Sequence, residues 1–555
     1  MPDCDHRGNL LVSKLWSLGD QSILAVDDFR EMRSMMREMC TGLGATDITL
    51  CSNGEEALEK LAERPHTIIL CDYNLGAGKD GQQVLEEARD RKLINQATLF
   101  VMITAENAIS QVMGAVEHQP DTYLSKPFTK GELQARIRKL QDKKAVFKGI
   151  AKAADRQQSQ QAIALCDQQL KAYPRYGFEL LRIKADLLIG EGDLEAAEAV
   201  FKQVLANREL PWALHGLGRV RVGQQRWAEA TEQFRAAIAA RDNFMPAYDD
   251  LAEALRAQGL EVDAQAALAD AVERSPKNVR RQQKLGALSL KTGDLEVAQK
   301  AFSSAIREGR NSCFGGPGDY GGLAEVHLAR EDGDEARKVL GDMKKSYRKA
   351  EDEVQLQSAL IEGRVFDVLG DEAGRANAID AAMQLYDKVP ESFDPDAAMK
   401  LAELCANDGR KEAVAELMQH AVRCNHDDPD LIRRANEVAD KAGLGAEGKA
   451  LIKEQVRKMI DLNNKGVAMA KQGQLAESVK LFIEAARAMP KNLTINLNSA
   501  QVLMLLMKSN GCRPEWLGQT SEYLRRAEAA APSDARYLRL KQMYQGLRQS
   551  SEQAA

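Results

Sequence analysis

Three short apolar runs and one short mixed segment, Thr122-Tyr123-Leu124-Ser125, each lead to polar side chains suited to chemistry within the first 130 residues. Runs of this length that are rich in β-branched residues are typical of buried strands. The polar residues are Asp27 and Asp28 after residues 23–26, Asp72 after residues 67–71, Thr104 after residues 99–103, and Lys126 after residues 122–125. Because ligands bind at the carboxyl ends of strands in an open parallel sheet, we expect these side chains to meet at one edge.

Three carboxylates, one hydroxyl and one ammonium have the composition of a site for Mg²⁺ and a phosphoryl group. A carboxylate can act as the nucleophile toward phosphorus. The attack of an anion on an anion needs cations, which Mg²⁺ and Lys126 would supply. Mg²⁺ binds a few carboxylates together with waters and phosphate oxygens, and it also stabilises carboxylates that repel one another.

Strand and helix patterns alternate over residues 20–143. The predicted helices cover residues 29–42, 55–62, 81–91 and 107–117, a last helix begins at Thr129, and the remaining strand covers residues 48–51. This alternation predicts an α/β fold with a doubly wound, five-stranded parallel sheet.

At this point the chain resembles the receiver domain of bacterial two-component response regulators, which has a flavodoxin-like fold. The motifs that carry the resemblance are Val26-Asp27-Asp28, Cys71-Asp72-Tyr73-Asn74, Thr104-Ala105 and Lys126-Pro127-Phe128. The resemblance implies that Asp72 accepts a phosphoryl group from a sensor histidine kinase. Apart from this reaction and its own dephosphorylation, the domain would turn over no separate substrate.

The resemblance also implies a metal site. Asp28, Asp72 and the backbone carbonyl of Asn74 would bind Mg²⁺, and Asp27 would help through water. The loop that follows Asp72 departs from the family, which usually has a proline near Gly76 and one residue fewer. The added glycines in residues 76–79 increase the flexibility of this loop, and they bear on the position of the Asn74 carbonyl and on the lifetime of the phosphoryl group.

Three further roles follow from the resemblance. Lys126 would pair with the phosphoryl oxygens, and Thr104 would hydrogen-bond to one of them. Tyr123 matches the aromatic position that turns inward on activation, so Thr104 and Tyr123 would form the switch.

Residues 144–555 contain a repeat with a period of 34 residues. The repeated positions include Ala230, Phe234 and Ala237, then Ala264, Leu268 and Ala271, then Ala298, Phe302 and Ala305. The pattern resembles tetratricopeptide repeats, which are pairs of helices. It predicts an all-α, right-handed solenoid with a concave groove, degenerate over residues 310–455 and interrupted by a flexible insertion at residues 315–322. We expect the repeated phenylalanines to pack in the core against small residues such as Gly218.

Residues that would contact a partner in the groove are harder to identify. Asn464 and Asn498 lie 34 residues apart at equivalent first-helix positions. Their amides could contact an extended peptide, and the alternative is that they lie on a solvated helix face.

Composition excludes several classes of protein. A length of 555 residues requires more than one domain. The net charge of −6 argues against a nucleic-acid partner, and no apolar run approaches the roughly 20 residues of a membrane span. The nine cysteines are scattered without a Cys-x-x-Cys motif, which indicates a reducing, cytoplasmic location.

No DNA-binding, cyclase, phosphodiesterase or kinase signature follows residue 143, and residues 310–455 show no nucleophile with a base. We therefore expect an adaptor or scaffold whose repeats bind an unknown partner protein in a way that depends on phosphorylation of Asp72, which would open or close the groove. The alternative is an inhibitor or phosphate sink that docks on a histidine kinase and blocks transfer to another regulator.

The helix that begins at Thr129 continues without a proline, so we expect it to connect the receiver domain to the repeats mechanically. Pairing of receivers through the face beside it leaves a homodimer open.

Overall fold

The computed structural model describes residues 16–105, 119–156, 158–348, 350–388, 393–426, 428–531 and 534–554. The chain forms two compact units, Met1–Gly322 and Leu323–Ala555, and each is described by itself. The helix predicted at residues 107–117 lies outside the described residues.

The first unit begins with a parallel sheet of five strands in the order β2-β1-β3-β4-β5. The strands are β1 Ser22–Val26, β2 Asp47–Cys51, β3 Ile68–Asp72, β4 Leu99–Ala105 and β5 Thr122–Lys126. The predicted doubly wound sheet is confirmed. Asp72 and Thr104 are expected to follow their strands, but both are part of them. Strands β3 and β4 stay paired with their neighbours up to these positions.

Helices cover both faces of this sheet, and side chains fix where they begin. The first three are α1 Arg30–Thr41, α2 Gly54–Glu63 and α3 Gly81–Asp90. The Asn53 side chain accepts a hydrogen bond from the backbone N–H of Glu56 at the start of α2. Asp80 and Gln83 form a reciprocal capping box at the start of α3. The cap at Asp80 therefore fixes where the loop after Asp72 ends.

One long helix, α4 (Lys130–Asp155), continues from the sheet into the repeats for 26 residues. Near its start, Leu133 and Ile137 are buried in the core of the sheet domain. Near its end, Ile150 and Ala153 are buried with the first repeat helices. The predicted continuous helix is confirmed, and the domain boundary predicted near residue 143 falls inside it.

The rest of the first unit consists of consecutive helices that pack in pairs. They are α5 Ser159–Ala172, α6 Gly177–Glu191, α7 Leu194–Asn207, α8 Pro211–Gly223, α9 Trp227–Ala240, α10 Met245–Ala257, α11 Glu261–Arg274, α12 Val279–Thr292 and α13 Leu295–Gly309. A short 3₁₀ turn, Pro174–Tyr176, separates α5 from α6.

Small residues let these helices approach closely, as predicted. A Cβ at Gly218 would lie 2.3 Å from Cε1 of Phe234, and one at Gly216 would lie 2.3 Å from Cζ of Phe201. Both phenylalanines are fully buried. The repeated aromatic positions are therefore core positions, and none of them is available to a ligand.

The prediction of a flexible insertion at residues 315–322 is wrong for most of that segment. Helix α14 begins at Pro317 and runs to Ala329. A Cβ at Gly322 would lie 2.3 Å from Cζ of Phe302, so this glycine is the small residue of a helix contact. The segment has the glycine-rich composition of a loop, but Gly322 serves the close packing of two helices.

The second unit continues the helical pattern. Its helices are α15 Gly333–Tyr347, α16 Asp352–Val368, α17 Glu372–Lys388, α18 Pro395–Asn407, α19 Lys411–Cys424, α20 Pro429–Lys441, α21 Gly445–Lys471, α22 Leu475–Ala488, α23 Leu493–Asn510, α24 Pro514–Ala530 and α25 Ala535–Ala554. Helix α21 is 27 residues long, which breaks the regular repeat. In the part of the chain that the structure describes, none of the helices has the length and apolarity needed to cross a membrane.

The close contact at Gly218 can be tested with alanine. Gly218→Ala places a methyl group against the Phe234 ring, and overpacking of this kind should lower the free energy of unfolding by about 1–3 kcal/mol. Gly190→Ala is the control, because no atom lies within 4 Å of the added Cβ in helix α6. The control should raise stability by up to about 1 kcal/mol. Urea unfolding followed by circular dichroism measures both, and equal effects would contradict the packing model.

Candidate phosphoacceptor site

Three aspartates form an acidic cluster at the carboxyl ends of β1 and β3. Asp27 and Asp28 follow β1, and Asp72 ends the neighbouring strand β3. One carboxylate oxygen of each lies within 4.8 Å of the others. Asp27 is fully buried, Asp72 is 6% exposed and Asp28 is half-buried. Among the described residues, no other set of three acidic, histidine or cysteine side chains is close enough to share a metal ion.

Lys126 joins two members of this cluster. Its Nζ lies 2.8 Å from Oδ2 of Asp27 and 2.9 Å from Oδ2 of Asp72. Burial would lower the pKa of Lys126, but the two carboxylates outweigh burial and raise it. Burial raises the pKa of Asp72, and the Lys126 ammonium opposes that rise. One ammonium therefore faces three carboxylates, which leaves an excess of negative charge.

The oxygen atoms of this cluster fit a hard divalent cation. The Oδ1 atom of Asp28 is buried and has no hydrogen-bond partner, a costly state for a carboxylate oxygen unless a cation or water binds it. Asn74 is exposed, and its Oδ1 accepts a hydrogen bond from the backbone N–H of Gly76 at 3.3 Å. The metal-binding role of the Asn74 backbone carbonyl stays a prediction. Carboxylate and carbonyl oxygens are the ligands that Mg²⁺ takes.

Thr104 and Tyr123 lie on the two strands beside the acidic cluster. Thr104 is buried near the end of β4, one residue after Ile103, which is paired with Asp72. Tyr123 lies on β5, its ring packs against the core, and its hydroxyl is buried without a hydrogen-bond partner. The structure thus places both predicted switch residues on the strands that carry the site.

The path of the backbone after Asp72 explains why positions 76 and 81 are glycines. Gly76 has a φ of +74°, and an added Cβ would lie 3.2 Å from Oδ2 of Asp28. An added Cβ at Gly81 would lie 2.2 Å from the carbonyl oxygen of Asp72. A side chain at either position would displace an aspartate of the cluster, so the backbone here must pass close to the site.

The sequence interpretation missed one supporting residue, Arg33. Its Nη1 donates to the backbone carbonyls of Asp27 at 2.6 Å and Asp28 at 3.0 Å. These bonds hold the turn that presents both carboxylates. No sequence motif could have identified Arg33, because its targets are backbone oxygens that every residue carries.

The two predicted groove asparagines differ in their surroundings. Asn464 is exposed on helix α21, and its role stays a prediction. Asn498 is buried on helix α23. Its amide nitrogen donates to Oδ1 of Asn463, and its Oδ1 accepts from Nη2 of Arg536. This burial contradicts the expectation for Asn498, because its amide joins three helices and is not available to a peptide.

Residues 23–138 match the family model of the response regulator receiver domain. A probable chemotaxis protein CheY from Rhizobium etli is 30% identical over 115 residues, which are 21% of this chain and 88% of that protein. The chemotaxis protein CheY of Pseudomonas aeruginosa is 32% identical over 119 residues, 21% of this chain and 94% of that protein. The chain belongs to the response regulator receiver family. Receiver domains signal by phosphorylation, have histidine kinases as general partners, and bind Mg²⁺ through an acidic cluster of this kind.

The response regulator also resembles solved repeat structures. A tetratricopeptide repeat protein from Parabacteroides merdae aligns with 51% of this chain and 98% of its own, at 15% identity and a TM-score of 0.33. The assignment of repeats rests on the helix pairs and their small-residue contacts described above. Repeats of this kind bind other proteins in general.

Opposite effects on Mg²⁺ binding are expected from two substitutions. Asp28→Asn removes a charged ligand and should weaken Mg²⁺ binding by about tenfold or more. Lys126→Met removes an ammonium that competes with the cation for Asp27 and Asp72, so it should tighten binding. Isothermal titration with MgCl₂ measures both variants. Weaker binding by Lys126→Met would show that Lys126 organises the carboxylates more than it competes for them.

Proposed function

We propose that a sensor histidine kinase phosphorylates this response regulator on Asp72, and that phosphorylation controls the binding of a partner protein by the repeats. The observation that carries the proposal is the position of Lys126, between Asp27 and Asp72. A lysine held at the acceptor carboxylate can follow the added charge when the phosphoryl group arrives.

The chemistry assigns a role to each residue. A carboxylate oxygen of Asp72 attacks the phosphorus atom of a phosphohistidine, the P–N bond breaks, and its electron pair returns to the histidine nitrogen. Lys126 and Thr104 then interact with the phosphoryl oxygens. Asp28, Asp72 and the Asn74 backbone carbonyl would hold Mg²⁺, with Asp27 helping through water; when bound, the ion neutralises phosphoryl charge.

The connection between Lys126 and helix α4 supports a readout by the repeats. Only three residues separate Lys126 from Lys130, where α4 begins, and α4 is buried in both cores. A change in the partners of Lys126 therefore acts at the base of a helix that belongs to both domains. Moving a two-state equilibrium from mostly off to mostly on takes roughly 5.5 kcal/mol of differential stabilisation.

Phosphorylation itself can be tested with a small donor. With acetyl phosphate and Mg²⁺, the wild-type protein should gain one phosphoryl group by intact mass, and Asp72→Ala should gain none because it lacks the nucleophile. Asp47→Asn is the matched control, since Asp47 begins β2 at the opposite edge of the sheet and should leave labelling unchanged. Labelling of Asp72→Ala at the wild-type level would refute Asp72 as the acceptor.

The output can be tested by affinity capture with and without beryllofluoride and Mg²⁺, which mimic the phosphoryl group. A partner captured in one state only, and insensitive to beryllofluoride in Asp72→Ala, would support a phosphorylation-dependent adaptor. The same partners in both states would refute that dependence. Capture of a histidine kinase that then fails to label a competing receiver would instead support the alternative, an inhibitor or phosphate sink.

A further inference from the structure

The loop that follows the acceptor aspartate contacts the repeat region directly. We call residues 74–80 the acceptor loop and residues 310–316, between helices α13 and α14, the repeat loop. Nζ of Lys79 donates to the carbonyl oxygen of Asn311 at 2.7 Å, and Nδ2 of Asn311 donates to the carbonyl oxygen of Gly78 at 2.8 Å. Asn311 thus exchanges two hydrogen bonds with two neighbouring residues, Gly78 and Lys79, which lie 233 and 232 positions before it in the chain.

Charge complementarity extends this contact. Arg280 at the start of α12 pairs with Asp90 at the end of α3, at 3.0 Å between Nη2 and Oδ1. Burial raises the pKa of Asp80, and the positive charge of Lys277 opposes that rise. Burial also raises the pKa of Tyr73, and the positive charge of Lys277 opposes that rise. An exposed ion pair contributes little stability, but the Arg280–Asp90 pair and the charge of Lys277 both favour the same approach of the two regions.

The repeat loop is held in shape by its own contacts. Gly315 passes so close to the end of α13 that an added Cβ would lie 2.2 Å from the carbonyl oxygen of Gly309. The carbonyl oxygen of Phe314 accepts from Nε2 of Gln283 at 2.8 Å, and the Arg280 guanidinium lies 3.7 Å from the Phe314 ring centroid. The loop is therefore anchored to helix α12 and presents Asn311 in a defined position.

The acceptor loop carries the site at one end and this contact at the other. Gly76 lies against Asp28, and Gly78 and Lys79, two and three residues later, bind Asn311. Lys79 is also anchored to α3 through Glu87, with 2.9 Å between Nζ and Oε2. Gly76 and Gly78 have positive φ angles, and glycine restricts the backbone less than other residues do. The contacts with Glu87 and Asn311 therefore help to fix the conformation of the acceptor loop.

Both loops are also the places where the sequence departs from its patterns. The acceptor loop is one residue longer than the receiver pattern, and the repeat loop lies where the 34-residue period is interrupted. In the structure these two departures meet. A contact between the two loops would explain both the extra residue in the acceptor loop and the interruption of the repeat period.

We propose that Asn311 is a positioning residue for the acceptor loop, so that the repeats help set Mg²⁺ affinity and phosphoryl lifetime at Asp72, and that loading of the site with Mg²⁺ and a phosphoryl group in turn stabilises the repeat loop. This proposal rests on the proposed function and adds a second route between the domains, independent of helix α4. The coupling free energy between two binding events is the same in both directions. If the Asn311 contact strengthens Mg²⁺ binding, then Mg²⁺ binding must strengthen the Asn311 contact by the same free energy.

Mg²⁺ affinity, measured by isothermal titration without a phosphoryl donor, tests the first half. Asn311→Ala removes the bond to Gly78 and should raise the Kd by about threefold to tenfold, the range for one hydrogen bond. Asn311→Leu, which keeps the shape without polar atoms, should do the same, and Asn311→Gln should restore part of the affinity. The control is Asn243→Ala, two 34-residue periods upstream in the loop before α10, which should leave the Kd unchanged.

Hydrogen exchange tests the second half. Beryllofluoride with Mg²⁺ should slow amide exchange in residues 310–316 of the wild-type protein and leave it unchanged in Asp72→Ala. Equal Kd values for Asn311→Ala and Asn243→Ala, or unchanged or faster exchange although beryllofluoride binds, would overturn the proposal and leave the proposed function standing. Failure of beryllofluoride to bind would count against the proposed function, while the Kd comparison would still decide the role of Asn311.

Discussion

Helix α4 is the constraint on which the first unit depends, because it is buried in two cores. Leu133 and Ile137 pack under the sheet, and Ile150 and Ala153 pack among the first repeat helices. Rotation of either end would expose apolar surface, at roughly 25 cal/mol for each Å². A continuous helix transmits displacement more faithfully than a flexible linker, so under the proposed function a change at the site would reach the first repeats through α4.

The acidic site explains why such a transmission is useful. Three carboxylates crowd at two strand ends, and Lys126 satisfies only two of them. The arrangement is electrostatically unbalanced as it stands, which makes it sensitive to one added cation and one added phosphoryl group. The Lys126 ammonium is the group free to change partners, and it lies between the reacting carboxylate and the start of α4. Under the proposed function, a change in the partners of Lys126 would therefore act on the start of α4.

Much of this architecture follows from local sequence rules, and the exceptions share a cause. The strands and the residues that end them, such as Asp72 and Lys126, could be predicted because apolar runs and their polar neighbours are adjacent in sequence. Gly322 was misinterpreted as part of a loop because composition does not show what a glycine packs against. Asn498 was misinterpreted because a 34-residue period gives spacing but not burial. The Asn311 contact could not be predicted at all, since no rule of spacing says which surfaces of two domains meet.

The receiver domain and the repeats are connected twice, and this affects how other proteins can reach the acceptor loop. Helix α4 joins them through the chain and the repeat loop joins them through space, so the repeat loop is presented to the acceptor loop as a tethered ligand. Tethered groups act at effective concentrations that reach the millimolar range. A protein that approaches the acceptor loop from solution must outcompete that built-in occupant. The repeats would then act as a selectivity filter, which admits only those phosphodonors that bind strongly enough to displace it or that approach Asp72 from another side.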